Sequence, residues 1–90
     1  MLAAMKSSKR QLSPREVFGR NLRLARRLKE ISQEDLALSA DLSRTYVSEV
    51  ERGIRNVSID NMGALALALG VPLHDLVDPA MFATLEERRR

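Results

Sequence analysis

Ser32 and Ser43 stand eleven residues apart in the stretch SQEDLALSADLSRTYVSEVERG, and each is placed to begin a helix. Ser32 with Asp35 three residues on has the spacing of a capping box, so a helix is predicted from Gln33 to near Ala40. Ser43 caps a second helix over Arg44–Arg52, and Gly53 supplies its stop. Only Asp41, Leu42 and Ser43 remain for the turn between them. Asp41 is one of the few non-glycine residue types that tolerate a left-handed backbone there. Helices joined so tightly cannot lie side by side antiparallel. They cross steeply, with small Ala37 at the approach and Leu36, Val47 and Val50 turned inward. The leading edge of the second helix then carries Arg44, Thr45, Ser48 and Glu49, polar groups with no use in a core.

The flanking segments supply the rest of an all-α fold. Ser13, Pro14 and Glu16 form a strong helix start, followed by Phe18, Leu22, Ala25 and Leu28 at helical spacing. Val17 and Leu24 widen that stripe, while Arg20, Arg23 and Arg27 fall largely outside it. Past a polar loop from Ile54 to Val57, Ser58 caps a fourth helix with the stripe Ile59, Met62, Leu65, Ala66 and Leu69, closed by Gly70. Pro72 opens a short fifth helix carrying Leu73, Leu76 and Val77. Asp78 and Pro79 mark another start, from which AMFATLEERRR is expected to add a turn or two. The predicted organisation is a basic N-terminal arm over 1–12, one five-helix domain over 13–78, and a C-terminal tail or short extra helix over 79–90. No segment has the alternation of a strand.

Composition narrows the function classes. The chain has 90 residues, two Phe, one Tyr and no Trp, so its single modest core is aliphatic. With no Cys, disulfide frameworks and thiolate metal sites are excluded, and a reducing compartment is permitted. MLAAMK is too short an apolar run for a secretory signal, and no later stretch approaches a membrane span, which predicts a cytoplasmic protein without membrane attachment. His74 stands alone beside Asp75, without the spaced ligands of a metal site. There is no glycine-rich phosphate loop and no nucleophile with a positioned base, so neither a cofactor nor an enzymatic activity is expected. Of the fifteen Lys and Arg, nine lie between Lys6 and Lys29, and the net charge is +3. Such a face suits either a polyanionic partner or plain solvation.

A helix, a tight turn and a second helix with polar residues at its start is the arrangement that enters a DNA major groove, which is about 12 Å wide. From Gly19 to Val77, about two thirds of the chain, the sequence resembles the Xre-like family of five-helix regulators, the Cro and phage-repressor type of helix-turn-helix protein. The matching strings are LRLARRLKEISQEDLA, SRTYVSEVERG and NMGALALALGVPLHDLV. The string RTYVSEVERGIRN also resembles the controller proteins of restriction-modification systems. The chain departs from the family at two places, Glu30 and Asp41, where the family usually has Gly. The resemblance implies a λ-repressor-like fold in which the helix from Arg44 recognises double-stranded DNA. It also implies a transcriptional regulator that binds a pseudo-palindromic operator as a homodimer.

Candidate contacts follow residue by residue. Arg44 and Thr45 match the first exposed positions of the family's recognition helix; Arg can bond guanine O6 and N7 together, and Thr can meet a thymine methyl or a phosphate. Ser48 and Glu49 lie one turn on, with Glu49 either accepting from cytosine N4 or holding Arg52 or Arg44 in place. Tyr46 either bonds a phosphate or packs half-buried. Gln33 sits at a helix N-terminus suited to a phosphate. Arg55 and Asn56 resemble the family's loop contacts to backbone, and Arg52, Arg23 and Arg27 are further phosphate candidates. Arg26 and Glu51 match positions that form an internal ion pair in several members, which implies a structural role. The apolar residues of the fourth and fifth helices, with Met81, Phe82 and Leu85, are the expected dimer surface. Two rivals remain: an antitoxin-like interaction module whose tail holds a protein partner, and a nonspecific nucleic-acid binder acting through the basic arm.

Overall fold

A computed structural model describes residues 11–82, and five helices make up its regular structure: α1 (Pro14–Leu28), α2 (Gln33–Ala40), α3 (Arg44–Glu51), α4 (Ile59–Leu69) and α5 (Leu73–Leu76). Most of the predicted arm, Met1–Arg10, and the tail from residue 83, Leu85 included, lie outside the described residues. Within residues 79–82 the chain turns without continuing a helix, and Phe82 packs half-buried on the core.

The serines set the helix starts. Ser13, Ser32, Ser43 and Ser58 each accept a hydrogen bond from the N–H three residues on, satisfying one of the donors a helix leaves open. At α1 the box is reciprocal, because the Ser13 N–H donates to Glu16 Oε1 at 2.9 Å. At α2 the serine half is made, with Asp35 N–H donating to Ser32 Oγ at 3.0 Å.

Four helices also end alike, with paired backbone bonds closing around a left-handed residue. At α2, Asp41 N–H reaches Leu38 O at 3.2 Å and Leu42 N–H reaches Ala37 O at 2.9 Å. The same pairing recurs at Glu30 and Ile31, at Gly53 and Ile54, and at Gly70 and Val71. The left-handed residue is Gly at two ends, but Glu30 (φ 58°) and Asp41 (φ 60°) at the others. A left-handed L-residue is strained by roughly 1–2 kcal/mol, and glutamate lacks the short side chain that relieves aspartate. Part of any gain from glycine is lost to its freer unfolded chain. Glu30→Gly should therefore raise stability by about 0.5–1 kcal/mol in urea denaturation, and by more than Asp41→Gly. A Glu30→Gly protein no more stable than wild type would remove strain as the explanation.

The core joins all five helices through Phe18, Leu22, Ala25, Leu36, Ala37, Val47, Val50, Leu65, Ala66, Leu69 and Leu76. Two stripe residues are left largely exposed: Leu28 at 61% and Ile59 at 66%. Both sit at a helix end, where the helix overruns the globule. Past Leu28, the left-handed Glu30 returns the chain so that Ile31 packs on the core instead. α3 ends one residue earlier than predicted, α5 is shorter by one residue at each end, with Pro72 and Val77 outside it, and Val77 is exposed.

A buried polar clasp secures the end of the fold. Asn21 is fully buried in α1, and its Nδ2 donates to the carbonyls of Asp75 (3.3 Å), Leu76 (3.1 Å) and Asp78 (2.9 Å). Its Oδ1 accepts from Arg20 Nε and Nη2, and Arg20 Nη2 also donates to Pro79 O at 2.7 Å. The open carbonyls at the end of α5 are thus capped by a side chain more than fifty residues away in sequence.

Candidate nucleic-acid interface

The position of α3 is decided by its attachment to α1. Gly19 lies where α1 crosses the end of α3. A Cβ built on it would overlap the Val50 carbonyl oxygen and stand 2.9 Å from the Glu51 carbonyl oxygen. Only a residue without a side chain allows this approach. Two turns further along α1, Arg26 reaches the same end of α3. Arg26 Nε donates to Glu51 Oε2 at 2.6 Å and Nη2 donates to Glu51 Oε1 at 2.9 Å, a two-point fork. Arg26 Nη1 donates to Ile31 O at 2.9 Å, and Gln33 Nε2 donates to Glu51 Oε1 at 3.1 Å. The Glu51 side chain is only 3% exposed, so this network holds the charges of a nearly dry pair. The hydrogen bonds from Arg26 to Glu51 raise the guanidinium pKa further above its usual value, against the effect of burial.

With its end anchored inside, α3 offers its beginning to solvent. Arg44 and Thr45 are exposed, and Ser48 and Glu49 are half-buried one turn on. Arg44 shares a polar concavity of about 610 Å³ with Arg27, Gln33, Ser32, Glu34 and Arg26. The structure thus gathers three of the proposed contacts, Arg27, Gln33 and Arg44, around one hollow at the start of α2. Gln33 spends one amide N–H on Glu51 and has a second to offer outward. Arg27 and Arg52 are exposed, and Arg23 is half-buried.

A second group forms where the chain leaves α3. The left-handed Gly53 turns the loop back, and Arg55 lies over the Tyr46 ring, its guanidinium carbon 4.7 Å from the ring centroid. Arg55 Nε also lies 3.3 Å from Glu49 Oε1. Glu49 therefore holds Arg55, rather than the expected Arg44 or Arg52. Tyr46 packs half-buried against the core, and its hydroxyl accepts from Asn61 Nδ2 at 3.0 Å. Asn56 is exposed and lines a separate, mostly apolar groove of about 310 Å³ with Val57, Phe18 and Met62.

Gly19, Asn21 and Asn61 were not among the residues singled out from sequence. A Gly inside an amphipathic helix is a signal of close backbone approach, and Asn21, three residues after Phe18, interrupts an apolar face. Asn61 carries no comparable signal. Among the described residues no group of three His, Cys, Asp or Glu could hold a metal ion, and no helix is long and apolar enough to cross a membrane.

Two short helices at a three-residue turn, the second anchored at its end and open at its start, define a helix-turn-helix unit. A helix-turn-helix family profile matches residues 22–76. Control protein C.BamHI of Bacillus amyloliquefaciens is 45% identical over 76 residues, covering 83% of this chain and 94% of the relative. The crystal structure of the restriction-modification controller protein C.AhdI from Aeromonas hydrophila superimposes with a TM-score of 0.67 at 47% identity, over 69% of this chain and 94% of that one. The clp gene regulator ClgR of Corynebacterium glutamicum superimposes with a TM-score of 0.75 at 32% identity, over 81% and 95% of the two chains. The chain belongs to the Xre-like helix-turn-helix family of DNA-binding transcriptional regulators, which is not a family of enzymes.

Proposed function

We propose that this protein regulates transcription as a homodimer on a pseudo-palindromic operator, with α3 in the major groove of each half-site. The observation that carries the reading is the asymmetry of α3: Glu51 is locked to Arg26 inside, while Arg44 and Thr45 stand exposed at the leading edge. Arg44, Thr45, Ser48 and Glu49 face the bases in this arrangement. Gln33, Arg27, Arg23, Tyr46, Arg52, Arg55 and Asn56 surround them as the phosphate-contacting frame. Exposed Leu67 (82%), Ile59, Val77 and Met81 on and after α4 and α5 suit a self-complementary dimer surface. Two copies would present their recognition helices about 34 Å apart, one turn of duplex, so half-sites should lie about 10 base pairs apart. The names of its relatives C.BamHI and C.AhdI support a controller of restriction-modification genes as the biological setting, in the cytoplasm. The antitoxin-like alternative rests on the tail after Pro79, which from residue 83 lies outside the described residues.

Selection of bound sites from random double-stranded DNA tests the reading, since a two-fold symmetric motif reports both specificity and dimerisation. Arg44→Ala should then weaken binding to the selected operator by about 1–3 kcal/mol and relax the preference at one base position in each half-site. Equal losses on operator and unrelated DNA would remove Arg44 from base recognition.

A further inference from the structure

The contact between Asn61 and Tyr46 joins α4 to the recognition helix, and its polarity has a consequence for DNA. A phenol hydroxyl has one proton to give and lone pairs to receive. Asn61 Nδ2 donates to Tyr46 Oη at 3.0 Å, so it occupies a lone pair and leaves the phenol proton free. A hydroxyl held this way keeps its proton to donate to a third group that accepts. Duplex DNA offers acceptors without donors along its phosphates, whereas cytosine N4 and adenine N6 would need the hydroxyl to accept.

The rest of the surroundings hold the ring in that role. Tyr46 packs against the core on one side and carries Arg55 over its face at 4.7 Å on another. Asn61 is itself committed by its place in α4. Its N–H donates to the Ser58 cap at 3.0 Å, which makes it the third residue of the first turn. At the same position of α1, the Glu16 side chain turns back to the Ser13 N–H. Asn61 points its amide to Tyr46 instead.

We propose that Asn61 is a positioning residue for DNA binding, which orients the Tyr46 hydroxyl as a hydrogen-bond donor to a backbone phosphate. The inference rests on the operator-binding reading above and adds to it a residue on α4 that itself touches no DNA.

The experiment is a double-mutant cycle on the full chain with the selected operator, read by fluorescence anisotropy, with thermal melts of every variant. Asn61→Ala is expected to weaken binding about 3- to 10-fold, the size of one neutral hydrogen bond, with a melting temperature close to wild type. In a Tyr46→Phe background the same substitution should change affinity by less than about twofold. Asn61→Asp reverses the contact, because its carboxylate accepts from the phenol. Its excess loss over Asn61→Ala should be larger with Tyr46 present than in the Tyr46→Phe background, where only the added charge acts. The base preferences recovered by repeated selection should be unchanged, as expected for a phosphate contact. Unchanged affinity in Asn61→Ala, losses that add in the double variant, or a shifted preference at one base would each overturn the assignment. Those results would leave the regulator reading standing, whereas a wild-type protein that selects no operator would sink both.

Discussion

Glu51→Ala should lower the stability of the domain by about 3–5 kcal/mol, because it strands a largely desolvated guanidinium. Arg26 would keep its bond to the Ile31 carbonyl but lose both bonds to the carboxylate, and Gln33 would lose its partner as well. Against the 5–15 kcal/mol that holds a typical domain together, such a loss leaves much of a small protein unfolded at physiological temperature. The burial that makes the single substitution severe also makes the pair replaceable. Arg26→Met combined with Glu51→Leu removes both charges and their desolvation together, so the double variant should be far more stable than Glu51→Ala. Chemical denaturation of the three proteins decides the matter. A loss below about 1 kcal/mol in Glu51→Ala would mean that the fork is no stronger than a surface ion pair.

Gly19→Ala is expected to be destabilising by about 2–3 kcal/mol or more, although helix propensity alone predicts a gain of about 1 kcal/mol. The added methyl would overlap the Val50 carbonyl oxygen and crowd that of Glu51, and both are backbone atoms of α3 that cannot rotate aside. Relief requires moving α3 away from α1, which would also stretch the fork between Arg26 and Glu51. Operator affinity should consequently fall even under conditions where the variant remains folded. A denaturation midpoint equal to or above that of wild type would show that the helices separate without penalty and that the close crossing is not a constraint.

Much of this architecture could be read locally. A serine cap is decided by four consecutive residues, which is why Ser13, Ser32, Ser43 and Ser58 begin helices where spacing predicts them. Gly53 and Gly70 mark ends for an equally local reason, and Asp41 at the turn takes the left-handed conformation its residue type tolerates. Periodicity was less informative at helix ends. It gives the face on which Leu28 and Ile59 lie but not where the globule stops, and both emerge exposed. The side-chain network around α3 was legible only in part. The cost of an unpaired carboxylate near phosphates pointed to an arginine partner for Glu49 within α3 or at its end, Arg44 or Arg52, whereas the turn at Gly53 brings in Arg55 from the loop. The fork between Arg26 and Glu51 came into view through family resemblance. The bonds from Asn21 to the end of α5 and from Asn61 to Tyr46 depend on tertiary geometry that no local pattern encodes.

The attachment at Asn21 bears on how the molecule comes apart. A helix of four residues such as α5 is far below the length that persists in water by itself. Its carbonyls are satisfied by a side chain rooted in the middle of the longest helix, and Leu76 is sealed in the shared core. The stretch around α5 is therefore not a fringe that can fray while the rest of the described domain endures. It melts when α1 melts, in a single cooperative event.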